Sequence, residues 1–225
     1  MLVKSAPAFL AKLPDSVLTA LAARWVERTY QHHELIIAHG DSGCDVFFLL
    51  EGDARVTLFS HDGREIAYRD VEPGEIFGEL AGIDGKVRSA SVVALGQART
   101  ARLPVAAFRD IVNNHPAFAW ALLEHMSVQL RRMTDRVYEF STLVVRQRLI
   151  HELLRLTAES TLVFGRASLD PAPTHIELAA KISTHREAVS REMSSLAKRG
   201  LIEKRDGRLI FHDLPALQAL AEQDE

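Results

Sequence analysis

The sequence predicts an α+β protein in which a β-rich N-terminal part is followed by one long helix and a smaller C-terminal helical unit. Three patterns support this order: strand-like runs separated by turn signals, a long apolar heptad pattern, and two short helices ahead of a hairpin. The chain has 225 residues, of which 47% are hydrophobic and 25% charged, as in folded globular proteins. The expected domains are 1–115, 116–143 and 144–225.

The β-rich part runs from about residue 34 to residue 103. Turn signals rich in Gly, Pro and Asp recur along it at 40–43, 51–53, 61–63 and 72–74. This regular spacing favours an all-β barrel. Apolar residues alternate on both sides of Asp62-Gly63, so a hairpin is expected between Asp53 and Asp70.

An amphipathic helix is expected ahead of the barrel. Pro14 and Asp15 are typical of the start of a helix. The apolar positions of its inner face are Leu18, Leu21, Ala22 and Trp25.

A long helix is expected after Pro116. Its apolar positions alternate at spacings of three and four residues: Leu123, Met126, Leu130, Met133, Val137, Phe140 and Val144. An a/d pattern over three heptads with charged flanks predicts a coiled coil, so this helix is expected to pair with a second copy of the chain. The alternative is a helix that lies on its own domain, which would usually show a wider apolar stripe.

The C-terminal unit is expected to form a winged helix-turn-helix. A helix at about 145–157 is followed by a segment, 158–173, that is too rich in breakers to continue it. Residues 175–211 then have the pattern of helix, tight turn, helix and a two-stranded hairpin centred on Asp206-Gly207.

Caps and apolar spacing support the two helices of this motif. Thr174 is the expected N-cap of the first helix, Ser183 or Thr184 that of the second, and Gly200 suits the position after the second helix ends. The residues expected to form the core between the helices are Leu178, Ile182, Val189, Met193 and Leu196.

Positive charge is concentrated in this motif although the whole chain has a net charge of −3. Residues 181–208 contain eight Lys or Arg against four Asp or Glu. On the second helix Arg186, Glu187 and Arg191 fall within a sector of about 140° and could contact base edges in a major groove. Double-stranded DNA is therefore an expected partner. The alternative is a solvated face with intrahelical ion pairs.

The segment 76–94 has the parts of an anion-binding site. A Gly-containing turn at 82–87 offers backbone N–H groups, Arg88 carries a permanent positive charge and Ser89 a hydroxyl, and Glu79 can accept hydrogen bonds from sugar hydroxyls. A structural ion pair between Glu79 and Arg88 would explain the same residues. The residues alone leave both interpretations open.

Taken together, residues 9–213 resemble the cAMP receptor protein/FNR (Crp/Fnr) family. The run from Phe77-Gly-Glu-Leu-Ala to Arg88-Ser-Ala resembles the phosphate-binding cassette of cyclic-nucleotide-binding domains, which form a jelly-roll barrel. The resemblance implies that Glu79 binds the ribose 2′-hydroxyl and that Arg88 and Ser89 hold the cyclic phosphate. It also implies backbone roles for Gly78 and Leu80.

The resemblance extends to the long helix. It implies that Thr134 meets the purine from the partner subunit. Met133 occupies a position where the cAMP receptor protein has a threonine that bonds to adenine, and this departure puts adenine selectivity in doubt. The expected ligand is cAMP, with cGMP as the alternative.

For the DNA-binding part, the resemblance implies a palindromic site with half-sites similar to TGTGA. The residues expected to contact DNA are Thr184, Arg186, Glu187, Ser190 and Arg191. The implied function is that of a homodimeric transcription regulator under allosteric control by the nucleotide, with RNA polymerase as a further partner. The alternative is a regulator of the same fold that is independent of cyclic nucleotides or responds to another effector.

An enzyme is not expected, because no Ser/His/Asp, Cys/His or metal-ligand cluster follows from the spacing. Cys44 is the only cysteine, and His32, His33 and His39 lack a metal-ligand spacing, so neither a metal nor haem is expected. The sequence shows no secretory segment and no apolar run of transmembrane length, which favours the cytoplasm.

Overall fold

The computed structural model describes residues 8–59, 65–157 and 166–222. Backbone contacts divide the chain into two compact units that meet between Arg131 and Arg132, inside the long helix. The N-terminal unit contains the β-rich part, and the C-terminal unit contains the helix-turn-helix. The α+β architecture expected from the sequence is confirmed.

The N-terminal unit begins with a short 3₁₀ helix, Phe9–Lys12, and α1, Asp15–Ala22. Its strands are β1 (Val26–Tyr30), β2 (Leu35–Ile37), β3 (Val46–Glu51), β4 (Ala54–Phe59), β5 (Glu65–Val71), β6 (Ile76–Phe77), β7 (Ser91–Ala94) and β8 (Ala98–Leu103). Two further helices are α2 (Glu79–Asp84) and α3 (Val105–Asn114).

These strands form two antiparallel four-stranded sheets with the orders β1-β8-β3-β6 and β2-β7-β4-β5. The expected barrel is therefore confirmed. The hairpin expected between Asp53 and Asp70 is also confirmed, because β4 pairs with β5 from Ala54 opposite Val71 onward. Its turn at Asp62-Gly63 lies outside the described residues.

Strand β3 shows why this part of the sequence reads as a continuous apolar run. Its side chains alternate between two faces, yet both faces are buried. Phe47 and Leu49 belong to the core between the sheets. Val46 and Phe48 belong to a second core that the N-terminal helices cover. Strand β3 therefore separates the core between the two sheets from the core under the N-terminal helices.

Two expectations about the N-terminal end were wrong. The first strand does not begin near residue 34, because β1 already occupies Val26–Tyr30. Four of its five residues are exposed, so the sequence shows no apolar alternation there. Helix α1 ends at Ala22, and Trp25 lies beyond it; Val17 and Leu21 are the buried positions.

The C-terminal unit starts within α4, Pro116–Thr142, the long helix expected from the heptads. It continues with α5 (Val145–Thr157), β9 (Ala167–Leu169), α6 (His175–Lys181), α7 (Arg186–Lys198), β10 (Ile202–Arg205), β11 (Arg208–Phe211) and α8 (Leu214–Ala221). The wing hairpin is confirmed, but β9 adds a third strand to it, from the segment expected to be irregular. Helix α8 was not expected.

The caps of the two central helices differ from each other. Thr174 caps α6 as expected and forms a capping box with Glu177. The N-cap of α7 is His185, so the expectation of Ser183 or Thr184 was wrong. The turn is longer because Ser183 adopts a left-handed conformation and the Thr184 N–H bonds to the carbonyl of Ala179.

The expected core between α6 and α7 is confirmed. Its buried side chains are Leu178, Ile182, Val189, Met193 and Leu196. Gly200 has a φ of 72° directly after the end of α7, which suits a residue without a Cβ. Over residues 8–59, 65–157 and 166–222, no helix is both long and apolar enough to cross a membrane.

Candidate functional site

The segment that is expected to bind an anion begins where β6 ends at Phe77. Gly78 follows with a φ of 74° and is the N-cap of α2. A Cβ at this position would lie 2.9 Å from Nη1 of Arg88 and 2.9 Å from Cδ1 of Ile37. Both the conformation and the close approach of the arginine therefore require glycine at this position.

Arg88 lies inside this turn and is only 5% exposed. Its Nη1 donates to the carbonyl of Gly78 at 2.8 Å, and its Nη2 donates to the carbonyl of Asp45 at 2.6 Å. Burial lowers the pKa of Arg88, and the nearby Cys44 and Asp45 partly offset this effect. The guanidinium is thus fixed by backbone dipoles.

Arg88 makes no ion pair with any residue that the structure describes. The ion pair with Glu79 that would have explained both residues structurally is not formed. A buried positive charge without an ion-pair partner carries a desolvation cost, and a bound anion would offset that cost. The arrangement is therefore chemically suited to an anion.

Glu79 is the first residue of α2 and is also buried, at 8% exposure. Burial raises the pKa of this carboxyl group, while Arg69 and Arg88 act in the opposite direction. The Nε2 atom of His125, a buried residue of α4, lies 3.9 Å from Oε1 of Glu79. The carboxyl group is therefore held in a confined pocket beside the imidazole ring.

The other expected residues of this segment lie at the surface. Ser89 is exposed and directly follows Arg88, and Leu80 is exposed on α2. The expected Gly-containing turn at 82–87 is wrong in its first half. Helix α2 continues to Asp84, and Gly85 ends it with a φ of 71°.

Two expected purine contacts lie on α4 beyond the boundary of the units. Met133 is partly buried and Thr134 is exposed, and both belong to the C-terminal unit. They are one helical turn away from the exposed apolar residues Leu130 and Val137.

The expected DNA-contacting residues are all near the N-terminal end of α7. Arg186, Glu187 and Arg191 are exposed. Ser190 is partly buried, and its Oγ lies 2.7 Å from Nδ1 of His175 at the start of α6. Thr184 lies in the turn, partly buried. Helix α7 thus exposes two guanidinium groups and one carboxylate to solvent.

His175 forms a polar link between α6 and α7 that the sequence pattern did not predict. Burial lowers its pKa, and the charges of Lys204 and Arg186 lower it further. A neutral ring at physiological pH therefore bonds to Ser190.

Two residues of the anion site were also missed. Asp45 contributes a backbone carbonyl, which no side-chain pattern can indicate. His125 could have been found, because it lies on the buried face of α4 together with Phe118, Ala121 and Leu122. These positions have the spacing of one helical stripe, and a histidine within such a stripe indicates a polar partner in the interior.

His32, His33 and His39 are exposed. Across the described ranges, no group of three or more His, Cys, Asp or Glu side chains could hold a metal ion.

A prediction follows from the buried carboxyl group. Because burial raises the pKa of Glu79 above its ordinary value of 4.5, the folded protein keeps this proton when the unfolded chain has lost it. The contribution of Glu79 to the free energy of unfolding therefore falls as pH rises from 4.5 through the raised pKa. Glu79→Gln removes this dependence.

We expect the stability gain of Glu79→Gln over wild type to grow between pH 5 and pH 8, measured by urea unfolding. Glu124→Gln, which alters an exposed carboxylate on α4, is the control and should give a difference that does not change with pH. A constant difference for Glu79→Gln would contradict the assigned burial effect.

The two units match two known domain families. Residues 27–115 match the cyclic nucleotide-binding domain family, and residues 147–220 match the Crp-like helix-turn-helix domain family. The matched ranges include Glu79, Arg88 and the whole of α7.

Two curated relatives match over most of their own length. The cyclic AMP receptor protein of Thermus thermophilus is 28% identical over 221 residues, covering 97% of this chain and 98% of its own. The cAMP-activated global transcriptional regulator Vfr of Pseudomonas aeruginosa is 28% identical over 189 residues, covering 82% of this chain and 88% of its own.

A solved structure shows the same similarity. TTHA1359, a CRP/FNR-family transcriptional regulator of Thermus thermophilus, superposes with a TM-score of 0.72 at 28% identity, covering 89% of this chain and 100% of its own. Vfr and TTHA1359 are transcriptional regulators, and together with the two domain matches they indicate a regulator and not an enzyme. With a cyclic nucleotide-binding domain, a long helix and a Crp-like helix-turn-helix in this order, the chain belongs to the Crp/Fnr family of transcription regulators.

Proposed function

We propose that this regulator is a homodimer whose affinity for DNA is controlled by a cyclic nucleotide, cAMP first and cGMP as the alternative. The functional divisions are residues 1–115 for the nucleotide, 116–143 for dimerisation and 144–225 for DNA. RNA polymerase is a further partner in this proposal.

The observation that carries the nucleotide assignment is the buried guanidinium of Arg88. It has two backbone acceptors, and no carboxylate of the described residues pairs with it. A cyclic phosphate brings the single negative charge that would offset its desolvation. The exposed hydroxyl of Ser89 can donate to the same phosphate, and the backbone around Gly78 and Leu80 completes the cradle.

Glu79 is suited to bind the ribose of the nucleotide. An ionised carboxylate accepts hydrogen bonds from hydroxyl groups, and the ribose of a cyclic nucleotide keeps one free hydroxyl for this purpose. Arg69 and Arg88 favour the ionised form of Glu79, whereas burial disfavours it. The hydroxyl of the ligand would supply the hydrogen bond that stabilises the carboxylate.

Residues of α4 bear on the choice of base. Thr134 is the proposed purine contact, and its hydroxyl can donate or accept a hydrogen bond. Met133 offers only a thioether, which is a weak acceptor and no donor. Discrimination between adenine and guanine therefore depends on fewer polar groups than a pair of hydroxyl residues would provide, which is why cGMP stays in the proposal.

The dimer assignment is supported by exposed apolar side chains along α4. Exposure of 41% to 69% is found for Leu123, Leu130, Val137 and Phe140 of α4 and for Val144, two residues after its end. These residues follow the heptad positions, and a single chain leaves them in water. A second copy that presents the same seam would bury them by knobs-into-holes packing.

The DNA assignment is supported by the exterior of α7. Arginine can bond to guanine O6 and N7 with two parallel hydrogen bonds, and glutamate can accept from cytosine N4. Arg186, Glu187 and Arg191 are therefore the proposed base-reading residues. Thr184 and Ser190 are the proposed contacts to the DNA backbone. A dimer would place two such helices on a palindrome with TGTGA-like half-sites.

The proposed control is a shift between two populations of the dimer. The nucleotide favours the population in which both recognition helices fit successive major grooves. Moving this equilibrium from 1:99 to 99:1 requires about 5.5 kcal/mol of differential binding, which two charge-assisted sites per dimer could supply.

The first prediction from this proposal concerns the ligand. Calorimetric titration of the full-length protein with cAMP and cGMP should give binding of at least one nucleotide. Arg88→Ala should weaken it about 100-fold, because charge-assisted hydrogen bonds are lost. Ser89→Ala, which alters an exposed side chain, should weaken it about tenfold.

Arg109→Ala is the matched control for this titration. Arg109 also donates to a carbonyl of α2, that of Gly82, but it is exposed. We expect its variant to bind within about twofold of wild type. If wild type bound neither nucleotide, the effector would be another molecule or none; if Arg88→Ala bound normally, the site would be elsewhere.

The second prediction concerns base reading. Arg186→Ala should lower affinity for the preferred duplex about 10-fold to 100-fold and relax the preference at one base pair of each half-site. Lys198→Ala, at the opposite end of α7, should weaken binding to all duplexes by a similar factor without changing the preference. An unchanged base preference for Arg186→Ala in a binding-site selection would rule out its assigned role.

The third prediction concerns the dimer. Leu130→Gln should raise the dimer dissociation constant about 100-fold, because two copies of a largely buried leucine are lost per dimer. Arg131→Gln introduces the same residue at the neighbouring exposed position and should leave the constant nearly unchanged. Sedimentation equilibrium measures both. Equal constants for the two variants would show that the seam does not mediate dimerisation.

A further inference from the structure

A buried carboxylate lies at the junction between the long helix and the helix-turn-helix. The Glu152 side chain on α5 is 3% exposed, and three cationic side chains approach it from α4, α5 and α6. We call this set the Glu152 cluster, which consists of Arg136, Glu152, Arg155 and Lys181. All four residues belong to the C-terminal unit.

The distances define how the cluster joins three helices. Nη2 of Arg136 on α4 lies 3.7 Å from Oε2 of Glu152. Nζ of Lys181, the last residue of α6, lies 3.7 Å from Oε1. Nη1 of Arg155 donates to Oε2 from the same helix as Glu152, and its Nη2 lies 2.6 Å from Glu139 of α4.

The arginine of α4 also binds the helix-turn-helix directly. Nη1 of Arg136 donates to the carbonyl of Lys181, at the C-terminal end of α6. Arg148 of α5 donates to the next carbonyl, that of Ile182, at 3.0 Å. The guanidinium groups of both arginines lie within 6 Å of the ring of Phe140, at 5.8 Å and 5.5 Å from its centroid. Cations at this end of α6 are also favoured by its dipole.

These contacts reach the turn that carries the recognition helix. Ile182 is the C-cap of α6, and α7 begins only four residues later, at Arg186. The planar guanidinium of Arg136 uses two of its nitrogens in different directions, one toward Glu152 and one toward the backbone of the motif. Such a fork fixes orientation as well as distance, which a lysine cannot do.

A buried ion pair adds little net stability, and in some proteins it selects one arrangement of the elements that it joins. Exposed ion pairs elsewhere in this unit, such as Arg208 with Asp170, do not select one geometry in this way, because water screens the two charges. The Glu152 cluster is therefore better explained by a need for one defined angle between helices than by a need for a more stable fold.

We propose that Arg136 and Glu152 are positioning residues that fix the recognition helix against the last turns of α4 and thereby set the spacing between the two DNA half-sites. The inference rests on the proposed dimerisation through α4. Each added base pair rotates one half-site by about 35° relative to the other. A dimer with fixed recognition helices tolerates few spacings, whereas a dimer with loosely held ones tolerates several.

The test is a binding-site selection from a randomised duplex library, using the full-length protein with cAMP present and, separately, absent. Wild type should select one half-site sequence at one spacing. Glu152→Gln should select the same half-site sequence over several spacings. In direct binding, the roughly tenfold preference expected for the best spacing over one changed by a single base pair should fall to about twofold.

Arg136→Lys provides a second variant that keeps the charge and removes the fork. It should relax the spacing preference as well, even if Glu152→Gln fails to fold in a thermal-unfolding control. Arg132→Lys, the same change at an exposed position of α4, should keep the wild-type spacing.

The outcomes distinguish the two proposals. If wild type selects one spacing and both variants keep it, the inference is wrong and the proposed dimer stands. If wild type itself shows no spacing preference and sediments as a monomer, the proposed dimer and the inference both fail. A change in the selected half-site sequence would assign Arg136 and Glu152 to the fold of the motif and contradict a positioning role.

Discussion

The arrangement of the N-terminal unit depends on how a guanidinium is held inside a β-barrel although no carboxylate of the described residues forms an ion pair with it. Arg88 is anchored by the carbonyls of Gly78, directly after β6, and of Asp45, directly before β3. This geometry requires Gly78 in a left-handed conformation and draws Glu79 into the interior at the start of α2. An anion in this position would offset the charge, so the stability of the domain and the presence of its ligand are expected to be linked.

Helix α4 connects this site to the rest of the protein through residues on different faces. His125 lies on the face that packs into the N-terminal core and approaches Glu79. The heptad residues occupy another face, on which Leu123, Leu130, Val137 and Phe140 are exposed. Near its end, Arg136 and Glu139 bind α5 and the first helix of the DNA-binding motif. One continuous helix thus carries a residue beside the proposed ligand, the proposed dimer seam and the link to DNA.

Much of this could be predicted from sequence because it depends on local patterns. The a/d spacing predicted α4, and the alternation around Asp62-Gly63 predicted the pairing of β4 with β5. The capping box at Thr174 follows from residues three apart in sequence. Arg186, Glu187 and Arg191 were placed on one exposed face from helical geometry alone.

What could not be predicted depends on contacts between distant parts of the chain. Strand β1 is mostly exposed and shows no alternation, and β9 is a strand only because β11 lies beside it. The anchoring of Arg88 uses a backbone carbonyl 43 residues away. The Glu152 cluster collects charges that look like ordinary solvated side chains along α4 and α5. These side chains differ from ordinary surface charges because they are buried where helices pack together, and local sequence patterns do not reveal that burial.

The most direct measurement is of reciprocal linkage between nucleotide and DNA in the wild-type protein at one fixed salt concentration. Fluorescence anisotropy would give the affinity for a palindromic duplex with and without saturating cAMP or cGMP, and calorimetry the affinity for the nucleotide with and without the duplex. The account predicts that the nucleotide raises DNA affinity, by about tenfold or more, and that DNA raises nucleotide affinity by the same factor. Tight nucleotide binding that left DNA affinity unchanged would contradict it.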